Sequence, residues 1–134
     1  MTARSHSVLL IDDDQATNVY NSAIVRQAAV VDHVHVCTSG KSALEFLRSA
    51  ENPQPSVIFL DVNMPSMNGW EFLEDYHRLS EQQRAKVVVI MLTTSLDPND
   101  ELKAKEMGTQ GFIRKPLTSE EVVAIFNKHF PDHS

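Results

Sequence analysis

Five short apolar runs punctuate the chain, separated by longer stretches in which apolar and polar positions mix. Val8, Leu9, Leu10 and Ile11 make the first run, Val57, Ile58, Phe59 and Leu60 the third, and residues 87–92 the fourth. These three are continuous and rich in branched side chains, as expected of parallel strands buried on both faces. His33–Cys37 and Gly111–Arg114 are weaker: Val34 and Val36 alternate with His33, His35 and Cys37, and the last run is brief. Both suit the edges of a sheet, where one side is less covered. The pattern predicts five strands, with the first, third and fourth central.

The stretches between the runs carry helical spacing and recognisable ends. Ala43, Phe46, Leu47 and Ala50 recur at one helical face after a cap at Ser39, and Phe72, Leu73, Tyr76 and Leu79 form a similar stripe. Asp14 is placed to cap the first helix. Asp97-Pro98 sets a capping carboxylate before a proline at the first helical position, and Gly108 stands where that helix needs a left-handed stop. Thr118 and Glu121 have capping-box spacing ahead of Val122, Ile125 and Phe126. Repeated β-α units imply a doubly wound α/β fold, a five-stranded parallel sheet with right-handed crossovers and helices on both faces. With no repeat, low-complexity tract or linker, one domain is expected over residues 1–134, its core spanning about 7–130.

Composition narrows the function classes. The chain is 134 residues long with 42% apolar and 22% charged residues, an ordinary soluble globule. Twelve basic against eighteen acidic residues leave a net charge of −6, which argues against nucleic acid and anionic membrane surfaces as partners. The lone cysteine, Cys37, has no internal disulfide partner and reads as a small buried hydrophobe. The apolar run at residues 8–11 is far too short for a signal peptide or a membrane span, so the cytoplasm is the expected location. The four glycines form neither a P-loop nor a G-x-G-x-x-G motif.

The chemistry gathers at the strand ends, where open α/β sheets bind ligands. Asp12, Asp13 and Asp14 follow the first strand, Asp61 the third, Thr93, Thr94 and Ser95 the fourth, and Lys115-Pro116 the fifth. Carboxylates in close quarters repel and hold their protons unless a cation intervenes. Mg²⁺ is suited to that position, since it takes oxygen ligands and keeps waters and substrate phosphates in its shell. A hydroxyl at Thr93 and an ammonium at Lys115 on the opposite side complete an inventory for phosphoryl transfer to a carboxylate.

The segment from Asp61 through Val62, Asn63, Met64, Pro65, Ser66, Met67 and Asn68 to Gly69, preceded by the third apolar run, resembles the phosphoacceptor segment of CheY-like response regulator receiver domains. Asp12-Asp13, Thr93 and Lys115-Pro116 follow in that family's order, Phe112 stands three residues before the lysine, and the likeness covers about residues 7–130. The resemblance, rather than the spacing, implies a flavodoxin-like sheet in the order 2-1-3-4-5. It also implies that Asp61 accepts a phosphoryl group from a histidine kinase or a histidine phosphotransfer protein. Mg²⁺ would be held by Asp12 through water, by Asp13 and Asp61, and by the backbone carbonyl of Asn63. Lys115 and Thr93 would hold phosphoryl oxygens, Phe112 would turn inward as Thr93 moves, and the face of the fourth helix, fifth strand and fifth helix would signal to a downstream protein. Lys115-Pro116 is expected to be a cis peptide. Thr94, where the family usually has a smaller residue, would narrow access to the phosphoryl group. No enzymatic activity is expected beyond self-phosphorylation from a phosphodonor and slow self-dephosphorylation.

Other readings compete for the same residues. A haloacid-dehalogenase-type phosphatase also starts from an apolar strand and Asp-x-Asp, but Ala16 stands where that motif wants Thr or Val. A flavin carrier would need a phosphate-cradling loop where Asp12, Asp13 and Asp14 repel phosphate. An unphosphorylated docking module would not require the full acid, hydroxyl and lysine set. His33 and His35 are read as a polar edge face, Trp70 as packing, and His6, His77, His129 and His133 as exposed. Since residues 131–134 alone follow the last helical pattern, no output domain is expected, and the signal would leave by protein contact or onward phosphotransfer.

Overall fold

A computed structural model describes residues 6–64, 67–84, 87–94 and 97–131. Five strands, β1 (Ser7–Ile11), β2 (His33–Cys37), β3 (Val57–Asp61), β4 (Val88–Thr93) and β5 (Gly111–Arg114), form one all-parallel sheet in the order β2-β1-β3-β4-β5. Every residue of β1, β3 and β4 is buried, as their unbroken apolar runs require, whereas β2 and β5 are the part-exposed edges. The expected doubly wound order is present.

Helices α1 (Gln15–Gln27), α2 (Gly40–Arg48), α3 (Gly69–Tyr76), α4 (Glu81–Arg84), α5 (Pro98–Glu106) and α6 (Ser119–His129) connect the strands. One core, built on Leu9, Ile11, Ile58, Leu60 and Met91, lies under α2 and α3; the other, built on Val8, Leu10, Phe59 and Ile90, meets Val25 of α1 and Phe126 of α6. Asp14, Ser39, Asp97 and Thr118 all cap their helices through side-chain oxygens, and Thr118 with Glu121 closes the capping box. Gly108 takes φ +83° at the end of α5, the left-handed stop. Lys115-Pro116 is cis.

Several local expectations are corrected. Helices number six among the described residues, because the four-residue α4 follows α3; the expected fourth and fifth helices are therefore α5 and α6. Ala50 lies beyond α2, which stops when Ser49 turns extended. The histidine face of β2 is covered only toward its end: His33 is exposed, but His35 packs on Phe46 with ring centroids 5.0 Å apart and Cys37 is buried, while on the opposite face Val34 packs against the other core and Val36 is 44% exposed. Helices on both sides decide which face of an edge strand is covered, and hydropathy alternation alone does not see them. His6 is buried rather than exposed, set between the rings of Phe126 and Phe130 with its Nδ1 2.9 Å from Ser56 Oγ. The end of α6 closes over the start of β1, a contact across the whole length of the chain. His129 is half-buried, and His133, Pro65, Ser66 and Ser95 fall outside the described residues.

Candidate functional site

Parallel register brings the strand ends level. Ile11 pairs with Leu60 and Cys37, and Asp61 pairs with Leu92, so Asp12 and Asp61 emerge from neighbouring strands at the same edge. Thr93 pairs with Arg114, and the Lys115 N–H donates to the Thr93 carbonyl at 2.8 Å, which sets the lysine on that edge too. Strand ends and the turns after them thus bring the acids and the ammonium to one edge of the sheet, with Thr93 at the end of β4 beside them.

Within it, Lys115 Nζ lies 2.8 Å from Asp12 Oδ2 and 2.9 Å from Asp61 Oδ1. Asp12, Asp13 and Asp61 each present a carboxylate oxygen within 4.8 Å of the others. Asp12 and Asp61 are buried, Asp13 is exposed, and Thr93 is fully buried. Asn63 follows on the exposed loop after Asp61, its backbone N–H directed at the Asp61 carboxylate. Three carboxylates against one ammonium leave two negative charges in a partly desolvated pocket. Its donors are all oxygen, so the residues present fit a hard divalent cation such as Mg²⁺.

The electrostatics follow from burial and pairing. Burial pushes the Asp61 carboxyl above the ordinary aspartate value; the Asp12 charge adds to this, while Lys115 and the Asn63 N–H pull it back. For Lys115, burial works against the charged form, but hydrogen bonds to Asp12 and Asp61 and their charges carry its pKa above that of a free lysine. Asp14 stands apart: it accepts from the Thr17 hydroxyl and N–H, which hold its carboxyl below the usual value, and its work is the α1 cap.

Of the residues singled out from the sequence, Asp12, Asp13, Asp61 and Lys115 meet at the cleft, with Asn63 just after Asp61 and Thr93 at the end of β4. Phe112 does not enter it; half-buried, it packs against the core under α2 and α3. Phe112 pairs with Met91, two residues before Thr93, so Phe112 and Thr93 share one face of the sheet. Thr94 is exposed. Trp70 is packing, as expected, with Lys103 Nζ 4.7 Å above its ring. Cys37 is buried, and desolvation raises its thiol pKa.

Two residues escaped the sequence reading. Asn18 of α1 is buried and donates from Nδ2 to the Asp12 carbonyl at 2.7 Å. Its signal was an amide on the buried face of a helix. Tyr20 donates from its hydroxyl to the Leu117 carbonyl at 3.0 Å, tying α1 to the loop after Lys115. Gly69, read as a turn glycine, is sterically required: a Cβ there would stand 2.8 Å from the Asp61 carbonyl oxygen and 3.1 Å from Val62 Cα. No helix among the described residues is long and apolar enough to cross a membrane.

Comparison with known proteins agrees with this fold. The chain is similar to a protein-glutamate methylesterase/protein-glutamine glutaminase of Burkholderia thailandensis, with 35% identity over 111 residues, but spans 81% of this chain and only 29% of that relative. It is 30% identical to a two-component response regulator of Oryza sativa, covering 92% of this chain and 80% of the other. The crystal structure of a two component response regulator from Cytophaga hutchinsonii superposes with a TM-score of 0.84 at 34% identity, covering 96% and 99% of the two chains. The family model described as the response regulator receiver domain matches residues 8–127. The chain therefore belongs to the response regulator receiver domains, the phosphoacceptor modules of two-component signalling.

Proposed function

We propose that Asp61 is the phosphoacceptor, taking a phosphoryl group from a phosphohistidine on a histidine kinase or histidine phosphotransfer protein in the presence of Mg²⁺. The observation that supports this most is the bridge of Lys115 between Asp12 and Asp61, with Asp13 alongside. An oxygen of Asp61 attacks phosphorus, the O–P bond forms as the P–N bond to the donor imidazole breaks, and the electron pair leaves on the ring nitrogen. Asp12, Asp13, Asp61 and the backbone carbonyl of Asn63 would hold Mg²⁺, which when bound neutralises charge between the acids and the phosphoryl oxygens. Lys115 is poised to exchange its carboxylate partners for a phosphoryl oxygen, and Thr93 offers a hydroxyl to another.

Thr93 and Phe112 on one sheet face give a route outward. Movement of the Thr93 hydroxyl toward phosphate makes room for Phe112, and the surface of α5, β5 and α6 changes with it, for a downstream protein to read. Water attack on the acyl phosphate returns Asp61 and inorganic phosphate, the only turnover in this reading. One sheet with a core on each face supports a single unit over about residues 7–130. A free Cys37 and net charge of −6 support a cytoplasmic protein whose partners are proteins rather than nucleic acid or membrane.

The test is intact-mass spectrometry after incubation with Mg²⁺ and acetyl phosphate. Wild type gains one phosphoryl group; Asp61→Asn and Mg²⁺-free wild type gain none. An equal gain in Asp61→Asn, or catalytic hydrolysis of phosphate esters dependent on Asp12, overturns the assignment.

A further inference from the structure

Helix α1 packs on the apolar sheet, yet two of its three buried residues are asparagines, Asn18 and Asn21. Apolar side chains would gain more there, because an amide must recover in hydrogen bonds what it loses in hydration. Asn18, 3% exposed, recovers only part of it. Its Nδ2 donates to the Asp12 carbonyl at 2.7 Å, while its Oδ1 is buried without a hydrogen-bond partner. Fold stability therefore gives a poor account of this residue, and the bond it does make deserves the explanation.

That bond falls on the residue where the chain leaves β1 for the acidic turn. The Asp12 N–H donates to the Cys37 carbonyl at 3.2 Å, Asp12 Oδ1 accepts from the Asp14 N–H at 2.9 Å, and Asp12 Oδ2 receives Lys115 at 2.8 Å. Asn18 holds the carbonyl, and so fixes the plane of the Asp12–Asp13 peptide. That plane sets the direction in which exposed Asp13 leaves the backbone to meet Asp12 and Asp61. We infer that Asn18 is a positioning residue for divalent-metal binding, holding the acidic turn in the geometry in which its two side chains converge. The inference rests on the Mg²⁺-dependent reading above, and groups of this kind, which touch a ligand's backbone rather than the metal, commonly set metal affinity.

The test compares the full-length chain with Asn18→Leu, which keeps the branched shape without the amide, and with Asn18→Ala, which avoids overpacking should the leucine variant not fold. Mg²⁺ is titrated against backbone amide chemical shifts, and thermal unfolding is followed in EDTA. The variants are expected to bind Mg²⁺ about 10-fold more weakly than wild type while Asn18→Leu melts no lower without metal. Phosphorylation by acetyl phosphate then regains the wild-type rate when Mg²⁺ is raised in proportion. Variant affinities within about twofold of wild type, or a lost melting temperature with unchanged affinity, overturn the inference. Wild type without saturable Mg²⁺ binding overturns the phosphoacceptor reading beneath it instead.

Discussion

Asp61 carries the sharpest conflict between stability and use. A buried carboxylate beside another acid is costly, and Lys115 offsets only part of that cost. Because the folded chain raises the Asp61 pKa, it binds that proton more tightly than the unfolded chain does. Its contribution to stability is fully present at low pH and is lost as pH rises through the folded-state pKa. Asp61→Asn keeps the shape and removes the titration. In EDTA at neutral pH the variant is expected to melt above wild type, the gap closing as pH falls toward the ordinary aspartate value of 3.8. Melting temperatures measured across that range check this, and a variant that melts lower at neutral pH contradicts it. Gly69 shows the same priority: a side chain there would press on the Asp61 carbonyl, so the loop returns over the end of β3 without one.

Of the two helices that flank β5, α5 is the more thinly held. It buries Ala104 alone and leaves Leu102 59% exposed, whereas α6 buries Val122, Ile125 and Phe126. Two polar contacts tie its side of the molecule to α3: Lys103 over Trp70, and His77 Nε2 donating to the Met107 carbonyl at 2.6 Å. Contacts of this kind are weak when exposed, about 0.5–1 kcal/mol for a cation over an aromatic ring. Local stability follows buried apolar contact, so α5 is expected to open more readily than α6. Hydrogen exchange on the full chain should show α5 amides exchanging well before those of α6; equal protection of the two helices would count against the argument. A loosely docked helix beside β5 is the kind of element a covalent change at the cleft can shift.

At the scale of the whole molecule, the cleft concentrates the chain's acidity. The net charge of −6 is spread over the surface, but Asp12, Asp13 and Asp61 converge where water is partly excluded. A divalent ion should bind this folded arrangement and not the unfolded chain, in which Asp61 lies far in sequence from the Asp12-Asp13 pair. Mg²⁺ at a hundred times its dissociation constant is then expected to stabilise the fold by about 2.7 kcal/mol, several degrees in melting temperature. NaCl at equal ionic strength should not reproduce that shift, and Asp13→Asn should reduce it. A melting temperature indifferent to Mg²⁺ would sink the metal site.

The sequence alone determined the strands and their ends. Unbroken branched runs mark residues buried on both faces, and helix caps are local hydrogen bonds written in adjacent residues. Placing the acids, hydroxyl and lysine each at or just after a strand end followed from those ends, and the family resemblance supplied the sheet order that joins them. Tertiary structure decided what depends on distant neighbours. It buried His6 beneath the end of α6, turned His35 of β2 inward on Phe46, and set Asn18 on the Asp12 carbonyl. Periodicity reports which face of an element is apolar, but which polar groups find partners is settled only when the elements pack.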